Sequence, residues 1–303
     1  MGEADSVSIA GLRRALGVNA PPRTITQEAF DYDASHLRRL IQVKAGERAK
    51  PQDLWNYTQD LRYTEIEPGL FRCLLPICLQ AWREELLGAR DYGGFVEHFY
   101  PVLADRHVFD RHLTPTQTAA VSEFIRHSIL EEIDDQRGLS YRGMNARPYR
   151  WTGALTTYGV LLPDIERLWM AWWSVDTIGR AVSAVQYISA LMYPDDANPV
   201  FAPWTPDEGG GPPCLWEFGG HLYSHRWLEP NVDFLRQTLN VATTADVLTR
   251  AAKILTSGPE HEVAARMLAD LPSRTEMLAA RCSELPDLLA TQQQPGSLLE
   301  WSV

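Results

Sequence analysis

The chain has 303 residues, of which 45% are hydrophobic and ten are tryptophan. This composition excludes a disordered chain and allows a substantial core, in one large domain or two smaller ones. The formal net charge is −11, and residues 151–303 contribute −9 of it, with 9 basic and 18 acidic side chains. Because an acidic surface repels phosphate backbones, the charge argues against nucleic-acid binding and favours a basic protein partner.

Four cysteines, at positions 73, 78, 214 and 282, are too irregularly spaced for a zinc knuckle. Buried reduced thiols are typical of cytoplasmic proteins, and the N-terminus lacks the apolar segment of a signal peptide. No phosphate-binding, dinucleotide-binding or nucleophile motif is found along the chain. We therefore predict a cytoplasmic protein that needs no cofactor.

The first half of the chain contains two strong helix signals. Residues 1–50 are predicted to be a peripheral N-terminal segment, and residues 51–194 a helical core domain. Within that domain, the sequence LLPICLQAWREELL predicts a helix that begins near Pro76, because proline is tolerated in a first helical turn. A second helix is expected after Thr114, where Gln117 completes a capping box.

The middle of the chain contains one segment without a helical pattern and one long apolar run. Residues 138–160 show no clean hydrophobic period, so we expect either a loop or a short β-hairpin there. A helix is expected to begin near Pro163. The sequence Leu-Leu-Pro occurs both there and at Pro76, so a duplicated helical unit stays one possible interpretation. The apolar run Arg167–Tyr193 contains Asp176 and Arg180, so it predicts buried helix rather than a membrane crossing.

The last third of the chain is divided by a segment rich in proline and glycine. Residues 195–220 are predicted to be a loop or linker, and residues 221–303 a C-terminal helical region. In that region, Ser273 and Glu276 form a second capping-box pattern, and prolines recur about every 13 residues, which suggests short helices. The predicted fold class is therefore mainly α, a multi-helix bundle or array that allows for a small β-hairpin.

Three clusters of polar residues are candidates for chemistry. His221 and His225 share a face on a helix or a strand and suggest a metal site, which would still need a third protein ligand. We favour packed histidines there and predict no metal ion. The acidic run of residues 131–135 and the basic run of residues 106–112 are each interpreted as solvated surface rather than as a cation or phosphate site.

A surface in the proline-rich segment is the predicted partner-binding site. Trp82, Trp169, Trp172 and Trp173 fall on apolar helix faces and are assigned to the core, which leaves the tryptophans of the loop for an exposed contact. Aromatic anchors beside carboxylates are typical of a binding hot spot with a charged rim. The predicted contact residues are Asp195, Asp196, Trp204, Asp207, Glu208, Trp216 and Glu217.

The segment Trp55–Glu132, with the sequences LWNYTQDLRYTEIEPGLF and LTPTQTAAVSEFIRH, resembles a family of uncharacterised bacterial helical proteins. Members of that family look like immunity or accessory proteins of bacterial toxin systems. The resemblance gives no catalytic residues to carry over. Together with the acidic charge, it leads us to predict an immunity protein that blocks the active site of a cognate basic toxin. Two alternatives stay open: a metal-assisted hydrolase that uses His221 and His225, and a scaffold or assembly component.

Overall fold

The computed structural model describes residues 8–291, apart from residues 19, 21, 23, 32, 45–46, 94, 140–146, 194–199 and 201–224. The described residues form thirteen helices and contain no strand. This confirms the predicted mainly α, multi-helix fold, while the β-hairpin that the sequence allowed for is not found in the part of the chain described.

Contacts between residues divide the chain into two compact units, Met1–Ser128 and Ile129–Val303. The helices of the first unit are α1 (Ile9–Ala15), α2 (Ser35–Ile41), α3 (Pro51–Tyr63), α4 (Pro68–Leu86), α5 (Phe95–Asp105) and α6 (Val108–His112). The boundary falls within α7 (Pro115–Asp134). The helices of the second unit are α8 (Arg147–Leu161), α9 (Ile165–Trp173), α10 (Ile178–Met192), α11 (Glu229–Thr238), α12 (Val241–Ile254) and α13 (Pro259–Ala290).

Helix α4 is the centre of the first unit and packs against α1, α2, α5 and α6. Its buried residues, among them Leu74, Ile77 and Trp82, surround the helix on nearly all sides, as expected for a helix enclosed by others. The predicted start at Pro76 is wrong, because α4 begins at Pro68 and Pro76 lies inside it. Packing on every side keeps the helix continuous past the hydrogen bond that proline cannot donate.

The N-terminal segment, predicted to be peripheral, contributes side chains to the core of the first unit. Leu12 of α1, Leu16 directly after it, and Leu37 and Leu40 of α2 are all buried. The two helices are each only seven residues long. Helices of that length are not stable in isolation, so their contacts with α3 and α4 must hold them in place.

The capping box at the start of α7 forms as predicted. The backbone N–H of Thr114 donates to the side-chain carbonyl of Gln117 at 3.0 Å, and the N–H of Gln117 donates to Oγ1 of Thr114 at 3.4 Å. Side-chain caps also start α10, at Thr177, and α12, at Asn240. Each such cap satisfies a backbone donor that the first helical turn leaves without a partner.

In the second unit, α10 packs against α9, α12 and α13, and nearly every one of its residues is buried. Its Tyr187 meets a cluster of tryptophans, with ring centroids 5.5 Å from Trp169 and 5.3 Å from Trp172. The indole N–H of Trp172 donates to Oγ of Ser183 at 2.8 Å. Trp82, Trp169, Trp172 and Trp173 are all buried, so their assignment to the core is confirmed.

Part of the segment expected to be loop or hairpin is helix α8. Its buried residues Trp151, Ala154, Leu155 and Tyr158 recur at helical spacing, which the abundant arginine, glycine and threonine around them obscured. At Gly159 an added methyl group would collide with the ring of Trp227. Glycine is therefore needed where this helix meets the buried indole.

The C-terminal region contains fewer and longer helices than predicted. Helix α13 runs for 32 residues, with Pro272 and Pro286 inside it. Ser273 is not an N-cap, because its hydroxyl donates back to the carbonyl of Asp270 at 2.8 Å within the helix. The capping pattern is a local signal, and here the contacts of α13 with α10, α11 and α12 extend the helix through it.

Helices long and apolar enough to cross a membrane are not found among the described residues. The apolar run Arg167–Tyr193 is divided between α9 and α10, as the polar residues within it suggested.

Candidate functional site

The predicted partner-binding residues all lie outside the part of the chain that the structure describes. They are Asp195, Asp196, Trp204, Asp207, Glu208, Trp216 and Glu217. Their role as a contact surface therefore stays a prediction.

The structure describes only one member of the histidine pair. His225 is partly exposed, and His221 lies outside the described residues. Groups of three or more histidine, cysteine, aspartate or glutamate side chains arranged to hold a metal ion are not found among the residues described. The hypothesis of a metal site at His221 and His225 thus gains no third ligand from this part of the chain.

The acidic run at the end of α7 is solvated surface only in part, as at the exposed Asp135. Glu132 is buried, accepts a hydrogen bond from the amide of Gln136 at 3.1 Å and lies 3.3 Å from the guanidinium of Arg150. Asp134 lies 2.8 Å from the guanidinium of Arg180. These carboxylates pair with partly exposed cationic groups within the second unit, which is a structural role.

The basic run before α7 also has a structural function that the sequence did not reveal. The guanidinium of Arg106 donates to the carbonyls of Leu61, Arg62 and Thr64, at 3.3, 2.8 and 3.0 Å. These carbonyls lie at the C-terminal end of α3, where the helix itself offers them no partner. Arg106 therefore caps α3 instead of contributing to a phosphate site.

A set of exposed aromatic side chains lies around α3. Phe30, Trp55 and Tyr63 have exposed fractions of 52%, 37% and 57%, and all belong to the first unit. Arg62 lies over the ring of Tyr63 at 6.0 Å, and His98 meets the ring of Trp55 edge-on at 4.8 Å. We call these five residues the aromatic surface. Exposed aromatic groups that cluster with an arginine are typical of binding sites.

The helical period of α3 explains why part of this surface faces solvent. Leu54, Tyr57 and Leu61 recur at helical spacing and are buried on one side of the helix. Trp55 and Tyr63 fall outside that stripe, separated by about 12 Å along the axis at 1.5 Å per residue. This offset between two aromatic residues and the apolar stripe was a signal in the sequence, which we did not use to predict a site.

Buried charges hold Phe30 against α3. One carboxylate oxygen of Asp60 accepts a hydrogen bond from the backbone N–H of Phe30 at 2.8 Å. The other lies 2.5 Å from Nε2 of His36, and the side chains of both His36 and Asp60 are only 1% exposed. The rings of Phe30 and Tyr63 are then 4.6 Å apart, tilted by 30°. The position of this exposed pair is therefore fixed by a buried ion pair.

The contacts of His36 favour its positively charged form. Its Nδ1 lies 3.0 Å from the carbonyl oxygen of Asp33, while Nε2 faces the carboxylate of Asp60. The carbonyl of Asp33 and the ionised carboxylate of Asp60 both accept hydrogen bonds, which fits a ring with a proton on each nitrogen. Burial alone lowers the pKa of His36, but the hydrogen bond and negative charge of Asp60 outweigh that effect and raise the pKa overall.

A second carboxylate anchors the chain just before Phe30. Glu67 accepts hydrogen bonds from the hydroxyl and the backbone N–H of Thr26, at 2.8 and 3.0 Å, and from the N–H of Gln27 at 3.3 Å. The side-chain carbonyl of Gln27 in turn accepts from the N–H of Glu67 at 3.2 Å. The segment that carries Phe30 is thus tied to the start of α4 as well as to α3.

A concave site of about 340 Å³ lies elsewhere in the first unit, near the C-terminal end of α4. Its polar lining is engaged within the protein, since Glu84 accepts hydrogen bonds from Gln80 at 3.0 Å and from the hydroxyl of Tyr92 at 2.8 Å. Burial, together with Glu84, raises the pKa of Tyr92 to about 12. The cluster stabilises the turn that follows α4 and offers less chemistry than the aromatic surface.

The described cysteines are not suited to nucleophilic chemistry. Cys73, Cys78 and Cys282 are free and buried, as predicted, while Cys214 lies outside the described residues. Burial raises the pKa of each described thiol, that of Cys282 to about 11. The reactive thiolate is therefore scarce at neutral pH.

Comparison with known proteins finds no matching family model, no matching curated protein and no matching solved structure. The candidate site accordingly rests on its own geometry.

Proposed function

We propose that this chain acts by binding another protein, and specifically that it is a bacterial immunity protein that inhibits a cognate basic toxin. In this proposal the chain covers the active site of the toxin and performs no chemistry itself. Binding alone is sufficient for inhibition when a rigid surface occupies the substrate site.

The observation that carries the proposal is the aromatic surface. Tryptophan, tyrosine and arginine are the residues that most often dominate binding energy at protein interfaces, and Trp55, Arg62 and Tyr63 are exposed on the same helix, α3. The hydrogen bonds of Asp60 and Glu67 hold Phe30 beside them. A surface that is already ordered loses little conformational entropy when a partner binds, which increases affinity.

The charge of the chain supports a basic partner. The net charge is −11, and most of it comes from residues 151–303. Opposite charges on two proteins accelerate their encounter and add selectivity. We keep the loop from Asp195 to Glu217 as a second contact region within this proposal, in which its carboxylates act mainly on the association rate.

A capture experiment tests the proposal. The purified chain is immobilised and exposed to lysate of the source cells, and captured proteins are identified by mass spectrometry. We expect a basic protein that is lost with the variant Phe30→Ala/Trp55→Ala/Tyr63→Ala. The matched control, Met170→Ala/Ile178→Ala/Ile254→Ala, removes exposed apolar side chains of the second unit and should retain the partner.

Activity of the captured protein then separates the three hypotheses. An immunity protein should abolish the toxicity or enzymatic activity of its partner at a one-to-one ratio. A partner that stays fully active in the complex would favour the scaffold or assembly component. Hydrolytic activity of the purified chain, with stoichiometric zinc that is lost in His221→Ala and His225→Ala, would replace the proposal by the metal-assisted hydrolase.

A further inference from the structure

Phe30 and Tyr63 form an aromatic contact in which both rings are exposed, as Trp55 and His98 do elsewhere on the aromatic surface. Each ring of the Phe30–Tyr63 pair is about half exposed, and their centroids lie 4.6 Å apart. The π face of an aromatic ring is negative and attracts cations such as guanidinium and ammonium groups. Arg62 already makes such a contact with Tyr63 at 6.0 Å, so a cation is compatible with this position.

Exposed carboxylates flank both members of the pair along the chain. Glu28 and Asp31 are exposed and lie within two residues of Phe30, and Glu65 is exposed two residues after Tyr63. Two cations lie near Tyr63: Arg62 is 4.0 Å from the carboxylate of Asp105, and Arg106 donates to the carbonyls of Arg62 and Thr64. The carboxylates of Glu28, Asp31, Glu65 and Asp105 outnumber these two guanidinium groups along the segments that carry the rings, which makes this part of the chain complementary to a positive group.

The pair is also held rigidly. Asp60 fixes the backbone of Phe30, Glu67 fixes the two residues Thr26 and Gln27, and Arg106 fixes the end of α3 that carries Tyr63. Buried or multiply bonded groups supply each of these contacts. An incoming side chain would therefore meet two rings that are already in position.

We propose that the Phe30–Tyr63 pair receives an arginine or lysine side chain of a basic protein partner, with Glu28, Asp31 and Glu65 as its anionic rim. This inference rests on the proposed function and names the chemistry by which the partner is recognised. The cation lies against the exposed faces of the rings, while the carboxylates attract it over a longer range. Trp55, near the start of α3, and His98 of α5 then serve as a separate contact.

A peptide of nine arginines is the probe for this site, and the same peptide with citrulline in place of arginine is its uncharged control. Binding is followed by NMR, with the ring signals of Phe30 and Tyr63 as reporters. We expect these signals to shift with the arginine peptide and to stay unchanged with the citrulline peptide. Shifts confined to other regions of the chain would overturn the proposal.

Two sets of variants separate a specific site from general attraction to an acidic protein. Glu28→Gln/Asp31→Asn/Glu65→Gln should weaken binding of the arginine peptide about ten-fold at low salt, where exposed charges are least screened. Glu166→Gln/Glu262→Gln/Glu276→Gln removes the same number of exposed charges from the second unit and should change binding less than about two-fold. Equal effects of the two sets would contradict the proposal.

The contribution of the rings is tested by Phe30→Leu/Tyr63→Leu, which keeps apolar area and removes both π faces. We expect about three-fold weaker binding of the arginine peptide, as is typical of an exposed cation–π contact. Unchanged binding would show that the rings do not contact the cation. If this variant also binds the captured partner normally while Phe30→Ala/Trp55→Ala/Tyr63→Ala loses it, the proposed function stands and this inference fails.

Discussion

Both units of the chain bury aromatic residues in their cores, but they differ in the large hydrophobic residues that they expose. In the second unit, Trp151, Trp169, Trp172 and Tyr187 pack against one another in the core, and the large exposed hydrophobic residues described there are aliphatic. In the first unit, Phe30, Trp55 and Tyr63 are exposed. Because burial of an aromatic ring is one of the largest favourable terms in folding, leaving three of them in solvent points to a role outside stability.

The ion pairs of the two units also differ in how far they are buried. The first unit buries a fully enclosed ion pair, His36 with Asp60, directly beneath an exposed ring. The ion pair between Asp134 and Arg180 in the second unit is partly exposed and joins helix ends. Buried ion pairs add little net stability but fix geometry. The comparison therefore suggests that the second unit is built for stability and that part of the first is built to position a surface.

Replacing a tryptophan in each unit gives the largest expected contrast. Trp172→Ala should lower the free energy of unfolding by about 3–5 kcal/mol, because it leaves a cavity and removes the partner of Ser183. Trp55→Ala should cost about 1 kcal/mol or less, since a third of that side chain is already exposed. Urea unfolding followed by circular dichroism measures both. Similar losses would mean that Trp55 is a core residue and would remove it from the aromatic surface.

Removing one member of each ion pair tests the second half of the comparison. Asp60→Ala should destabilise the protein by about 3 kcal/mol, because it leaves the charge of His36 buried and uncompensated. Asp134→Ala should cost about 1 kcal/mol, since solvent screens the exposed part of that pair.

The same urea experiment provides a control in Asp105→Ala, whose carboxylate is half exposed and 4.0 Å from Arg62. That variant should lie within about 0.5 kcal/mol of the wild type. A loss for Asp60→Ala no greater than that of the control would show that the buried pair does not hold the segment of Phe30 in place.

Replacing a glycine by alanine is expected to destabilise the protein in the second unit and to stabilise it in the first. Gly179→Ala should destabilise the second unit by about 1–3 kcal/mol, because its methyl group would collide with the backbone of Asp134. Gly69→Ala in α4 should stabilise by about 0.5–1 kcal/mol, since the nearest atom is 3.8 Å away and alanine favours the helix. Thermal unfolding of the two variants and of the wild type measures both changes in stability. A stabilising Gly179→Ala would mean that α10 does not approach α7 as closely as described.

The smallest expected effect is a pH dependence confined to the first unit. Because the pKa of His36 is raised above its ordinary 6.5, its stabilising contribution is complete below that value and is lost as the pH rises through the folded-state pKa. The amide of Phe30 should therefore exchange its hydrogen increasingly fast above that pKa, relative to the amide of Leu228 in the second unit, which donates to Gly159 at 2.9 Å. His36→Gln should abolish this relative change. A constant ratio in the wild type would contradict a charged His36.

The sequence determined those features that depend on neighbours along the chain. The capping box of Thr114 and Gln117 forms because its partners are three residues apart, and Trp82, Trp169 and Trp172 are buried because helical period places them on apolar faces. The same local reasoning was wrong at Pro76 and Ser273, where a pattern typical of a helix start lies inside a helix.

Only the tertiary structure decided which polar and aromatic groups meet. His36 and Asp60 are 24 residues apart, Thr26 and Glu67 are 41 apart, and Arg106 reaches the end of α3 from 42 to 45 residues away. No period or spacing predicts such pairs, because they depend on how α2, α3 and α5 pack together. The exposed position of Phe30 follows from these long-range hydrogen bonds. The sequence alone therefore established a helical, acidic protein, and packing between distant segments produced the surface that is its best candidate for function.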